Sequence, residues 1–223
     1  MTGFRPRFSA RQPFAPAPLP DGRARLAEAF STHPSDGAST GFVLAHLRAA
    51  KQPFLWITDR LSLIETGEPY CLAIPFIRAR LAKPADVLTA AEEGLRCGAL
   101  SAVVAELWGN PKALDFTASK RLAMRAETSG IPCWLIRHGA SADLSAARER
   151  WRLQSLPSPP LPDDAKAPGG PLWHAELFRS RERRPGHWVA SYDRAAHRLD
   201  LVPAFSDGTL DAAAQTPARR AAS

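Results

Sequence analysis

The stretch Pro84–Ile136, PADVLTAAEEGLRCGALSAVVAELWGNPKALDFTASKRLAMRAETSGIPCWLI, decides the fold class. Pro84 stands where a first-turn proline is tolerated, and Val87, Leu88, Ala91 and Leu95 recur at helical spacing on one face. Gly98 reads as the stop of that helix. Ala102–Leu107 (AVVAEL) is an apolar run of strand length, fit for burial on both sides. Asp115 or Thr117 then caps a second helix with Ala118, Leu122 and Ala126 inward, closed by Gly130 before the next strand, Ile131–Ile136. Strand and helix alternating through short, glycine-closed connections imply βαβ units and a parallel sheet.

Upstream the same alternation begins. Leu26–Phe30 (LAEAF) reads as a strand, Ser31–Thr40 (STHPSDGAST) as a loop, and Thr40 as the cap of a helix with Val43, Leu44 and Leu47 on its apolar face. Phe54–Ile57 and Cys71–Phe76 are two further strands. Downstream the pattern changes. Ala140–Arg150 reads as a short helix and Trp151–Leu156 as a strand. Residues 156–171 hold six prolines and two glycines and read as a linker. Trp173–Phe178, His187–Tyr192 and His197–Leu201 follow as antiparallel strands joined by turns. The expected organisation is a loosely packed lead-in (1–20), an α/β core (21–155), the proline-rich linker (156–171), a β-hairpin addition (172–203) and a disordered tail (204–223).

Composition narrows the function. The 223 residues carry 29 basic and 22 acidic side chains, a net charge of +7. Residues 1–25 hold +4 and residues 137–223 hold +3, while 26–136 is neutral. A neutral middle does not read as a surface that coats nucleic acid. No apolar run is long enough to span a bilayer, and the proline-rich start lacks the apolar core of a signal peptide. A cytoplasmic protein is expected. Cys71, Cys97 and Cys133 are too scattered for a disulfide framework or a zinc pair, and the six histidines form no ligand motif.

The first strand–helix connection is the informative loop. A phosphate loop needs glycines, a lysine for the outer phosphates and a hydroxyl for magnesium. Here Gly37 and Ser39 match the second glycine and the hydroxyl, but Ala38 stands at the lysine position and Asp36 adds a negative charge. Glu106 ends an apolar strand where a magnesium-organising acid would stand. The loop Asp36, Gly37, Ala38, Ser39 and the acid Glu106 therefore read as degenerate, with no cofactor, no metal and no catalytic residue expected. A second constellation, Arg179-Ser180-Arg181-Glu182-Arg183-Arg184 beside Trp173 and Trp188, reads as a contact surface for phosphates or for an acidic partner segment. On a strand, Arg179, Arg181 and Arg183 would share one face.

These residues carry a family resemblance. Leu19–Arg23 with Leu26–Phe30 resembles the entry to the ATPase core of RecA recombinases. Asp36–Ala38 with Thr40–Ala45 looks like the lysine-less version found in ImuA proteins. Gly94–Leu107, Leu114–Leu122, Arg150–Leu153, Ala167–Trp173 and Arg184–Trp188 are similar to further ImuA segments, in order. The resemblance, over residues 19–203, implies a RecA-like P-loop-type sheet, SulA-related, that has lost its ATPase machinery. It implies a non-catalytic adaptor in SOS-induced, error-prone translesion synthesis after DNA damage. ImuB, a Y-family-polymerase-like protein, and a DnaE-type polymerase would be its partners, with RecA a further contact and DNA a secondary one. Alternatives are a degenerate ATPase with Ser39 and Glu106 on magnesium and Arg48 or Lys51 in place of the missing lysine, a DNA-binding module using the basic ends, and a SulA-like inhibitor of cell division.

Overall fold

The computed structural model describes residues 24–47, 52–69, 75–161, 163–193 and 198–204. Along the chain run β1 (Leu26–Ser31), α1 (Ala38–Leu47), β2 (Phe54–Asp59), α2 (Arg60–Thr66), β3 (Phe76–Leu81), α3 (Pro84–Gly94), β4 (Val103–Trp108), α4 (Phe116–Ser129), β5 (Cys133–His138) and β6 (Glu149–Leu156). The chain continues through β7 (Leu172–Ser180), β8 (Gly186–Asp193) and β9 (Arg198–Pro203). All nine strands form one sheet in the order β3-β2-β4-β5-β1-β6-β7-β8-β9. The first six are parallel, and β7, β8 and β9 are antiparallel to their neighbours. The α/β class and the antiparallel C-terminal strands agree with the sequence pattern.

The central strands are buried and mostly apolar because helices cover both faces. On one face α1 packs Phe42 and Val43 against Trp56, Trp134, Trp151, Trp173 and Leu177. On the other, α3 and α4 bury Val87, Leu95 and Leu122 with Ile57, Leu107 and Leu135. The α1-side cluster runs on through Ala190, Tyr192, Leu199 and Leu201, so the C-terminal strands share a core with the parallel ones.

Local signals set most boundaries. Asp115 is the N-cap of α4, its carboxylate accepting from the Ala118 amide at 2.7 Å. Gly130 closes that helix at φ 73°, where a side chain would be strained. At α3 the expected stop moves. Gly94, not Gly98, is the last helical residue, and a Cβ there would lie 2.6 Å from a methyl of Leu55.

Other expectations are overturned. Thr40 is the third residue of α1 rather than its cap, because Asp36 caps it from further upstream. Residues 140–148 are not helical, and the chain enters β6 at Glu149. Side chains hold that segment in place: Ser145 donates to Glu28 at 2.7 Å and the Ala146 amide to Ser119 at 3.0 Å. The strand placed at Cys71–Phe76 falls mostly outside the described residues, and β3 starts at Phe76. The lead-in 1–20 and positions 205–223 also lie outside them. Among the described residues no helix is long and apolar enough to cross a membrane. Cys97 is exposed, and burial pushes the Cys133 thiol up to about 12, which makes it inert.

His46, in the last turn of α1, sits against Phe42 and Trp134. Burial lowers it to about 4, against the opposing pull of its bond to the Phe42 carbonyl. An unfolded histidine titrates near 6.5, so both states are neutral above that pH. Between 6.5 and 4 only the unfolded chain takes the proton, and stability falls as pH falls through that window. A fully dry ring would lose ~3 kcal/mol, and the partly exposed ring of His46 is expected to lose about 1–2. Urea unfolding at pH 7 and pH 4.5 checks this against His46→Leu, which should lose less. Equal losses in both proteins would refute it.

Candidate functional site

Three adjacent parallel strands carry polar residues at or near their carboxyl ends: β2 Thr58 and Asp59, β4 Glu106 two residues before its end at Trp108, and β5 Arg137 and His138. The loop from β1 to α1 lies beside them. In open α/β sheets this carboxyl edge is where ligands bind. A cavity of about 240 Å³ opens there, lined by Pro34, Asp36, Gly37, Thr40, Glu68, Glu106 and His138, among others.

Glu106 is 1% exposed and both its oxygens are engaged. Oε2 accepts from the Trp56 indole at 2.9 Å and the Thr58 hydroxyl at 2.8 Å. Oε1 takes the Thr40 hydroxyl at 3.4 Å and faces His138 Nε2 at 3.2 Å. Three donors, Trp56, Thr58 and Thr40, and the His138 ring nitrogen thus surround this buried carboxylate. Asp59 is equally committed, accepting the Ser62 amide at 2.6 Å as the cap of α2 and the Trp108 amide at 3.3 Å. Sequence reading singled out Glu106 and missed Trp56, Thr58 and His138. The signal was present: three apolar strands in a row end on groups that need partners.

The glycine loop is closed on itself. Asp36 accepts the Ala38 amide at 2.9 Å, the Ser155 amide at 2.8 Å and the Ser155 hydroxyl at 2.5 Å. Its carboxylate thus caps α1 and ties the loop to the end of β6. Ser39 is fully buried, its hydroxyl 2.6 Å from that of Ser31. The hydroxyl that the motif would assign to magnesium therefore faces β1. Glu68, held below the usual carboxylate range by Arg80, completes the lining, and among the described residues no lysine or arginine is part of the wall; Arg48 and Lys51 lie outside them. These residues do not fit a magnesium–triphosphate group, because Asp36, Glu68 and Glu106 face the cavity and Arg80, at its rim, is spent on Glu68. Among the described residues no three His, Cys, Asp or Glu side chains gather to hold a metal.

The Arg-rich hairpin is rearranged relative to expectation. Only Arg179 lies on a strand, because β7 ends at Ser180 and Arg181, Arg183 and Arg184 fall in the turn. The three arginines therefore share no strand face. Trp173 is 5% exposed, its ring packed against Gly41 of α1. Trp188 is half-buried with its ring centroid 5.8 Å from that of Trp151. Arg183 forms a two-pronged pair with the buried Glu149, at 2.9 and 2.6 Å, and lies over Trp151. Arg179, Arg181 and Arg184 remain exposed. The structure joins Trp188 and Arg183 to the α1-side core and buries Trp173 there, which removes Trp173 as a surface anchor.

A mostly parallel α/β sheet with an acidic cleft at its carboxyl edge, its glycine loop bound by its own aspartate, and antiparallel strands sharing its core define the class of protein. No protein-family model matches the chain. It is 33% identical over 177 residues to Protein ImuA of Caulobacter vibrioides, in strain NA1000 and again in the ATCC 19089 strain. Each match covers 71% of this chain and 69% of the relative. The chain belongs to the ImuA family.

Proposed function

We propose that the chain is a non-catalytic accessory factor of damage-induced, error-prone translesion synthesis, built on a RecA-like core. It acts as an adaptor between an ImuB-like protein and a DnaE-type polymerase. Family membership supports the process. The strand–glycine loop–helix unit, with Glu106 near the same sheet edge, supports the RecA-like reading of the core. One observation carries the loss of catalysis: Asp36 occupies the phosphate loop and is bonded to α1 and β6. An anion entering there meets a fixed carboxylate and, among the described residues, no lysine.

Titration with a fluorescent ATP analogue and magnesium tests this. No binding is expected at micromolar nucleotide. Micromolar binding abolished by Gly37→Val would overturn it in favour of a degenerate ATPase; a Cβ at Gly37 meets nothing within 4 Å, and thermal unfolding of the variant checks that it folds. The partner contact is assigned to the exposed turn carrying Arg181 and Arg184. Co-purification with the ImuB-like protein should weaken in Arg181→Glu, Arg184→Glu. Unchanged capture places the interface elsewhere. Deleting 172–203 is no test, because Trp173, Leu177, Tyr192 and Leu201 are core residues.

A further inference from the structure

The strands β6 to β9 have one face under α1 and the other turned away from it. Their inward residues, such as Leu153, Leu177, Ala190 and Leu201, belong to the α1-side cluster. The core that α3 and α4 build on the opposite side includes no residue of these four strands. An antiparallel sheet facing water normally alternates apolar inward with small or charged groups outward. This outer face is richer in rings. His174 and His187, on adjacent strands, lie nearly parallel at 19° with centroids 5.4 Å apart. Phe178 beside them is covered by the guanidinium groups of Arg152 at 4.8 Å and Arg150 at 5.3 Å, with Phe30 on its edge.

A bulge adds a cation. The register of β6 and β7 shifts between Arg150 and Trp151, so that Arg150 pairs with Arg179 and Trp151 with Leu177. The extra residue is Phe178. Without the shift, Arg179 would follow Trp173, Ala175 and Leu177 onto the α1 side. With it, Arg179 shares the face of its partner Arg150, outward beside Phe178. Arg179 is exposed and makes no ion pair among the described residues, whereas Arg152 is paired with Glu176.

We propose that the outer face of β6–β9 binds single-stranded nucleic acid, with His174 and His187 offering rings on which bases stack and Arg179 meeting the backbone phosphate. Base stacking on aromatic side chains is tolerant of sequence, and an exposed strand surface is a geometry in which it works. A cation at one side of the rings sets the track of the phosphates. The surface is separate from the carboxyl-edge cleft and from the Arg181–Arg184 turn assigned to the protein partner.

The test is anisotropy of a fluorescently labelled oligo-dT with the full chain at two salt concentrations. Wild type should bind, more weakly at higher salt. His187→Ala should cost about tenfold in affinity, the equivalent of one lost base stack. His187→Phe keeps a ring and should keep the affinity, which a purely structural or charge role of His187 would not. Arg179→Ala should weaken binding and lower the salt slope by about one. No binding by the wild type, or equal binding by His187→Ala and Arg179→Ala, overturns the proposal. So does loss of ImuB-like protein capture in those variants with oligonucleotide binding intact, which would make the face a protein interface.

Discussion

Glu28→Ala is expected to destabilise the protein by ~3–5 kcal/mol, the cost of removing one partner from a buried ion pair. Glu28 is fully buried in the middle of β1. It accepts from Arg150 Nε at 2.6 Å and from the Ser145 hydroxyl at 2.7 Å, and Arg137 Nη1 lies 3.8 Å away. Arg137 and Arg150 are 1% and 3% exposed. Several of their N–H groups already lack a hydrogen bond: Arg137 Nε and Nη1, and Arg150 Nη2. Asp143 approaches both guanidinium groups at 3.6 and 3.8 Å, but is itself more than a third exposed. Without Glu28 two buried cations share one distant, partly hydrated anion. At about 2–4 °C per kcal/mol for a chain of this size, Tm should fall by roughly 10 °C. A fall under about 3 °C in thermal unfolding would show that Asp143 suffices. Glu28→Gln, which keeps the shape and loses the charge, should recover little of the loss.

Glu106→Ala is the second large effect, ~3 kcal/mol or more, because three buried donors lose their acceptor together. Trp56 Nε1, Thr58 Oγ1 and His138 Nε2 all point at the same carboxylate. His138 Nδ1 already has no partner, so the ring would lose its only bond. The variant separates two roles for this acid. An acid kept to organise magnesium would leave stability nearly unchanged in metal-free buffer when removed, and wild type would gain Tm on adding magnesium. The geometry predicts the reverse: a large loss without metal, and no magnesium-dependent gain in wild type. Thermal unfolding in chelator and in magnesium measures both.

The parallel layer was legible where periodicity and caps agree. Between Pro84 and Ile136, helix spacing, a capping aspartate and closing glycines are all local, and the structure keeps the elements with strand boundaries shifted by one or two residues and the end of α3 by four. Elements held by distant partners were not legible. Residues 140–148 have a helix-forming composition, but Ser119 and Glu28 capture their polar groups, and tertiary bonds override propensity. The short α2 has no apolar period: Leu61 and Ile64 are exposed, and its sequence signal was Asp59 as a cap. Arg183 looked like surface charge because its partner Glu149 is 34 residues away. Trp173 looked like an anchor, although its alternation with Ala175 and Leu177 already marked an inward face. In the site, the missing lysine was plain from the residue types. That Asp36 would grip Ser155, across 119 residues, was not.

The single sheet also makes the molecule a spacer. Its edge strands, β3 and β9, are eight strand-to-strand steps apart. At about 4.8 Å per step the two edges stand roughly 38 Å from each other, and a twist of about 20–25° per step turns one edge through about half a revolution relative to the other. Rows of backbone hydrogen bonds fix both quantities without a hinge. Two molecules gripping opposite edges would be held at a set distance and presented in a set relative orientation.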